Sequence, residues 1–167
     1  MKTIVVAIGA NLPGPNGEPP LATCLWAVEQ LRRVHGVRPT KISRWYRTPP
    51  DPPSDQPDYI NGAVRLEGKA DPEALLAALH AIEQRAGRIR TVRNAARPLD
   101  LDLIAMDQLV RGRDPILPHP RMHMRPFVLA PFADVAPLWR HPLTGATAAT
   151  MLAPLGQPNL APQQNLT

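Results

Sequence analysis

Leu99-Asp100-Leu101-Asp102-Leu103-Ile104-Ala105-Met106 reads as a strand in which apolar and acidic residues alternate at its start. Side chains of an extended chain point alternately to opposite faces, so the leucines share one face and the two carboxylates the other. Residues two apart on one face lie about 7 Å from each other. An ordinary half-buried antiparallel strand shows the same alternation with both acids merely solvated. The flanks argue for more: Arg85, Arg88, Arg90, Arg93 and Arg97 precede the strand, and His119, Arg121, His123 and Arg125 follow it. Two acids set among these cations form the pattern of a divalent-metal site that faces a polyanion.

Upstream of this strand the chain alternates between two periodicities. Residues 3–8 are apolar and partly β-branched, as expected of a central strand buried on both sides. The loop Pro13 to Pro20 follows, because prolines and glycines sustain neither regular element. Leu21, Leu25, Val28, Leu31 and Val34 recur at helical spacing and Gly36 ends the pattern. Lys41 to Arg47 reads as a second strand, and 51–57 as a rigid, extended, proline-rich excursion. Tyr59 to Leu66 reads as a third strand, with Asn61-Gly62 as a bulge or edge feature. Asp71 is a candidate N-cap with Pro72 at the first helical position. Behind them Leu75, Leu76, Leu79, Ile82 and Ala86 form the stripe of a second helix ended by Gly87.

Downstream, prolines 118, 120 and 126 force a loop, Phe127 to Phe132 can pack as a short helix, and 146–152 is a further helical candidate. The order is βαββαβ with additions after the last strand. This predicts an α+β fold with a ferredoxin-like core and a mostly antiparallel sheet. Residues 1–150 are expected to form one domain, and 151–167 a flexible C-terminal tail.

At 167 residues the chain is long enough for one domain with a real core. Its net charge of +5, from 19 basic and 14 acidic side chains, favours an anionic ligand without choosing between nucleotide and polynucleotide. The arginines cluster at 85–97 and 111–125, which suggests a local pocket more than a long groove. A lone cysteine, Cys24, excludes a disulfide framework and a thiolate zinc site. The N-terminal apolar run is too short for a signal segment or a membrane span. A soluble, cytoplasmic protein that binds no membrane is the expectation.

Two oxygens on one strand face suit magnesium, a hard cation that keeps much of its coordination for phosphate and water. Paired ions about 4 Å apart can bridge polyphosphate oxygens on the attacking and leaving sides. Arginine guanidinium forks match those oxygens.

With these residues in view, the sequence resembles the 6-hydroxymethyl-7,8-dihydropterin pyrophosphokinase (HPPK) family of folate biosynthesis. The resemblance runs from Ile4 to Pro142. It rests on Ala7-Ile8-Gly9-Ala10-Asn11-Leu12, Tyr46-Arg47-Thr48-Pro49-Pro50, Asp55-Gln56-Pro57-Asp58-Tyr59-Ile60-Asn61, Ile82-Glu83, Gly87-Arg88-Ile89-Arg90, Arg97-Pro98-Leu99-Asp100-Leu101-Asp102 and Leu117-Pro118-His119-Pro120-Arg121. It implies transfer of the terminal two phosphates of ATP to the pterin hydroxymethyl oxygen, with release of AMP. It further implies Asp100 and Asp102 as ligands of two magnesium ions, and Arg88 and Arg97 as catalytic phosphate clamps. Glu83, Arg90, Arg93, His119 and Arg125 would lie at the nucleotide. Tyr59 and Phe127 would stack on the two faces of the pterin, Asn61 would read its edge, and Thr48 and Pro49 would complete the contacts. The 51–57 run would close over bound substrates.

Each residue has a plainer reading. Tyr59 and Phe127 suit a core, Asn61 before Gly62 suits a turn, His119 between two prolines suits a structural role, and arginines beyond a helix are usually solvated. The sequence also departs from the family pattern. Asn94-Ala95-Ala96 stands where many members have Trp-Gly-Pro, Pro98 replaces a threonine, and Asp114 and Ile116 replace nucleotide-contacting Arg and Thr, with Arg113 able to restore charge.

Two rival functions fit less well. An RNA binder of this architecture would expose stacking aromatics on its central strands, and no adequate pair exists here. A nonenzymatic regulator would carry damage in the acid pair, and both acids are present. The expected partners are therefore ATP and the reduced pterin, with no nucleic acid, on a shape compatible with a monomer.

Overall fold

The computed structural model describes residues 2–14, 16–87 and 98–162, and in it the predicted order is built around one sheet. β1 (Lys2–Ala10) leads to α1 (Pro20–Leu31), then to β2 (Val37–Ile42), β3 (Tyr46–Thr48) and β4 (Tyr59–Gly68). α2 (Pro72–Arg85) and β5 (Asp100–Met106) complete the core. A 3-10 turn at Met122–Met124, α3 (Pro126–Val135), α4 (Ala148–Leu152) and β6 (Asn159–Leu160) follow. The strand order is β5-β1-β4-β3-β6, with β2 also on β4, and among the described residues every strand pairing is antiparallel. Because β2 and β3 are successive pieces of one path along β4, the last core strand lies beside the first and the third beside the second. That is the ferredoxin-like arrangement, with C-terminal elements added.

The central strand is buried on both faces, as its unbroken apolar run predicts. Ile4, Val6 and Ile8 enter a layer shared with Leu75 and Leu79 of α2 and Leu101 and Leu103 of β5. Val5 points the other way, into a layer with Tyr46 and with Val128, Leu129 and Phe132 of α3. α2 begins as its sequence requires: the Asp71 carboxylate accepts the Ala74 N–H at 3.1 Å, Pro72 fills the first position, and Gly87 at φ 97° follows the end. Among the described residues no helix is long and apolar enough to cross a membrane.

Three expectations are corrected. The strand expected at 41–47 starts four residues earlier and is broken before Tyr46. Its edge position lets Pro39 sit in a strand without donating a ladder bond, which hides the pattern. At the break, the Ser43 hydroxyl accepts the Ala63 N–H at 2.8 Å, taking the part of a backbone carbonyl. Second, Asn61-Gly62 is neither bulge nor edge: both residues pair in register with Gly9 and Ile8 of β1. Gly62 is small because the Trp45 ring packs there, 2.4 Å from where a Cβ would stand. Third, the stretch 151–167, expected to be a flexible tail, carries β6 among its described residues, pairing Leu160 with Tyr46 and Asn159 with Arg47. A two-residue strand leaves no periodicity to read, and α4 itself spans position 150.

Candidate active site

The site is laid out by side-chain alternation on β5, β1 and β4. Leu101 and Leu103 are 3 % and 4 % exposed in the layer with α2, so Asp100 and Asp102 face the other side of the sheet. A register shift against β1 at Val5/Val6 makes Ile104 an extra residue, so the alternation ends just past the acids. In successive rows across the strands, Asp100 is followed by Gly9 and Asn61, and Asp102 by Ala7 and Ala63. Glycine and alanine leave the floor between the acids and Asn61 unfilled. α3 covers this same face farther along and brings Phe127 to its rim. The result is a cavity of about 150 Å3 whose walls include Thr48, Pro49, Asp51, Tyr59, Asn61, Asp100, Asp102, Arg125 and Phe127.

Eight of the residues expected at the site therefore line one cavity: the acid pair, Thr48, Pro49, Tyr59, Asn61, Arg125 and Phe127. Asn61 is nearly buried and donates from Nδ2 to the Thr48 hydroxyl at 2.5 Å. That bond fixes the amide plane and leaves Oδ1 and the second N–H as an adjacent acceptor and donor. Arg125 lies over the Phe127 ring, 5.5 Å from its centroid, which sets a cation against the aromatic wall.

His119 and Glu83 lie outside that wall. His119 donates its backbone N–H to Ile104 O at 2.8 Å, closing the free edge of β5, and its Nδ1 accepts the Arg121 N–H at 3.2 Å. Partial burial, then the charges of Arg125 and Arg121, hold its pKa below the usual histidine range. The ring is thus neutral near pH 7, with Nε2 left to carry the proton. Glu83, only 2 % exposed, accepts the Leu101 N–H at 3.0 Å, so it anchors the strand segment between the two acids. Arg88, Arg90, Arg93 and Arg97 lie outside the described residues.

Sequence reasoning did not assign roles to Asp51, Gly9 or Asn11. Asp51 lines the cavity. Asn11, 2 % exposed, donates from Nδ2 to Gln56 Oε1 at 2.9 Å and Pro57 O at 3.2 Å, tying the proline-rich excursion to the end of β1. The signal was present: Gly9, Asn11 and Gln56 all fall inside the stretches that carry the family resemblance.

The donor set can be weighed against a metal. Among the described lining residues the acids Asp51, Asp100 and Asp102 face a single cation, Arg125. Among the described residues, no group of three or more His, Cys, Asp and Glu is placed to hold a metal. Two carboxylates, with no histidine or cysteine among the described lining residues, fit magnesium, which takes its remaining ligands from water and substrate phosphate.

A family model described as 7,8-dihydro-6-hydroxymethylpterin-pyrophosphokinase (HPPK) matches residues 5–137, from within β1 to just past α3. The chain belongs to the HPPK family. A 2-amino-4-hydroxy-6-hydroxymethyldihydropteridine pyrophosphokinase of Synechocystis is 41 % identical over 149 residues, covering 89 % of this chain and 73 % of that one. The enzyme of the same name from Haemophilus influenzae is 36 % identical, covering 81 % and 82 %. A solved structure of Plasmodium falciparum HPPK-DHPS superimposes with a TM-score of 0.70 at 11 % identity, which shows the shared fold. This HPPK chain covers 92 % of itself in that match and spans 43 % of the solved chain. Pyrophosphoryl transfer to a pterin is the reaction class of the HPPK family.

Proposed function

We propose that this chain transfers the β- and γ-phosphates of ATP to the hydroxymethyl oxygen of 6-hydroxymethyl-7,8-dihydropterin, releasing AMP and the pterin diphosphate. The observation that supports it most is the union, in one cavity, of an amide and two aromatic rings with a carboxylate pair on β5, across β1 from the amide. Tyr59 and Phe127 offer the flat apolar faces that a heteroaromatic ring stacks on. Asn61, locked by Thr48, offers the donor and acceptor that read its edge. The Gly9 gap then leaves the hydroxymethyl group a path toward Asp100 and Asp102.

Asp100 and Asp102 would hold magnesium, which when bound supplies the positive charge that lets a triphosphate approach an acidic floor. The carboxylates fix where the polyphosphate sits, and the aromatic pocket fixes where the attacking oxygen sits. Holding the two in register provides much of the rate enhancement for such a transfer. Arg125, which lines the cavity over the Phe127 ring, adds a permanent cation. The proline-rich 51–57 segment, which is tied at Asn11 and lends Asp51 to the wall, would close over the substrates and exclude water, which would otherwise accept the phosphates.

Incubation of the chain with ATP, magnesium and the reduced pterin is expected to yield AMP and pterin diphosphate in equal amounts. ADP in place of AMP, or AMP formed equally well without pterin, would refute the assignment. The two halves of the site are separable. Tyr59→Ala is expected to weaken pterin binding about tenfold, from lost stacking area, with ATP binding unchanged. Titration calorimetry that finds both affinities reduced alike would contradict this division.

A further inference from the structure

The pterin half of the cavity is built from three elements, β4 with Tyr59 and Asn61, β3 with Thr48 and α3 with Phe127; the last two must keep a fixed separation, and they meet at Asp134. This residue is the last but one of α3, about two turns and 10 Å along the helix from Phe127. Its Oδ2 accepts the Tyr46 hydroxyl at 2.7 Å and the Arg44 backbone N–H at 3.2 Å. Its Oδ1 accepts Arg44 Nη2 at 3.0 Å. Arg44 and Tyr46 flank the start of β3, and Thr48 lies two residues on, facing the same side of the sheet as Tyr46. Tyr46 is fully buried. Burial, with the bond to Asp134 next, pushes its phenol up to about 12, so it remains a donor across the whole range in which proteins work.

We propose that Asp134 is a positioning residue for the pterin: its carboxylate clasps β3 to α3 and thereby sets the distance between the Thr48–Asn61 edge and the Phe127 wall. The inference rests on the functional reading above. The important bond is the buried one to Tyr46, since the Arg44 side chain is 60 % exposed and its ion pair is weakened by solvent. The fixed separation matters because dispersion contact falls steeply: a gap of about half to one ångström forfeits a quarter to a half of it. The acid pair stands on β5, at the far side of β1 from β3, and does not share the clasp. Arg65 Nη1 donates to Val135 O at 3.2 Å and retains the end of α3 on β4 when Asp134 is changed. Loss of the clasp therefore shifts the wall without releasing the helix.

The test compares steady-state constants of the full chain with those of Asp134→Ala, Asp134→Asn and Ile82→Val. The last is a control for general destabilisation, since Ile82 is buried in the opposite layer of the core. For Asp134→Ala the pterin KM is expected to rise about tenfold, with the ATP KM and kcat within about twofold. Asp134→Asn, whose amide oxygen still accepts from Tyr46, should recover most of the loss, and Ile82→Val should leave both KM values unchanged. Should Asp134→Ala fail to fold, Asp134→Asn and Tyr46→Phe carry the test, each with a smaller rise confined to the pterin KM. Asp134→Ala or Tyr46→Phe with the parent's pterin KM despite a lowered melting temperature would overturn the proposal, as would an equal rise in both KM values in either variant. A parent chain that does not bind pterin would overturn the functional reading itself, and is seen before any variant is compared.

Discussion

Asp102→Asn is expected to lower kcat by about 10³-fold while leaving the fold intact. Asp102 is on the exposed side of β5, and the strand is held by its ladder with β1, by Leu101 and Leu103 in the core, and by Glu83 on the Leu101 N–H. None of these needs the Asp102 charge, so thermal unfolding should stay within a few degrees of the parent, as surface substitutions generally do. The amide keeps the shape and one oxygen but loses the formal charge that magnesium requires of its ligand. ATP titrations should therefore show a steeper magnesium requirement in the variant, while pterin titrations should match the parent because Asn61, Tyr59 and Phe127 are untouched. Turnover within tenfold of the parent at saturating magnesium would remove the acid pair from its assigned role. A collapse of thermal stability would show that the carboxylate serves the fold instead.

What the sequence made legible follows from how directly each feature depends on local chemistry. The Asp–Leu alternation can be read because the period of a strand is two, and the structure keeps it up to the extra residue at Ile104. Asp71 and Pro72 can be read because a helix start needs a side-chain acceptor and tolerates a residue without an N–H. By contrast, β2 holds Pro39, a residue that propensity places outside strands, and only its edge position makes it acceptable. β6 is set by an open edge of β3, a tertiary fact with no local signature.

The candidate site shows the same division. Eight expected residues converge on one cavity because alternation and family resemblance act together. The part that could not be read is the partnering between distant elements. Asp134 is a plain acid near a helix end in the sequence. Its bonds to Tyr46 and Arg44 join residues about ninety positions apart, and no spacing rule reaches that far. Glu83 is similar: the family resemblance places it at the nucleotide, and no local pattern announces that its carboxylate accepts the Leu101 N–H eighteen positions on.

Gly9→Val is the sharpest test of the pterin half, with an expected loss of about 100-fold or more in kcat/KM for the pterin. Gly9 sits between Asp100 on β5 and Asn61 on β4, and a Cβ there would stand 2.8 Å from Asn61 Oδ1 and 3.8 Å from Tyr59 Cδ1. The first distance is shorter than any real contact of that kind, so the amide must swing away, and its bond to Thr48 goes with it. Valine is among the residues most at ease in a strand, and Gly9 does not have the positive backbone φ that would demand glycine. The substitution should thus leave the sheet intact and spoil only the gap through which the hydroxymethyl group would reach the acids. ATP affinity in the presence of magnesium is expected to stay within about threefold, because Asp100 and Asp102 keep their own strand and its anchors. Competition binding with a pterin analogue and with a nonhydrolysable ATP analogue separates the two. Retention of parental pterin affinity by the valine variant would mean that the ring lies elsewhere, and Asn61 would revert to a structural residue of β4.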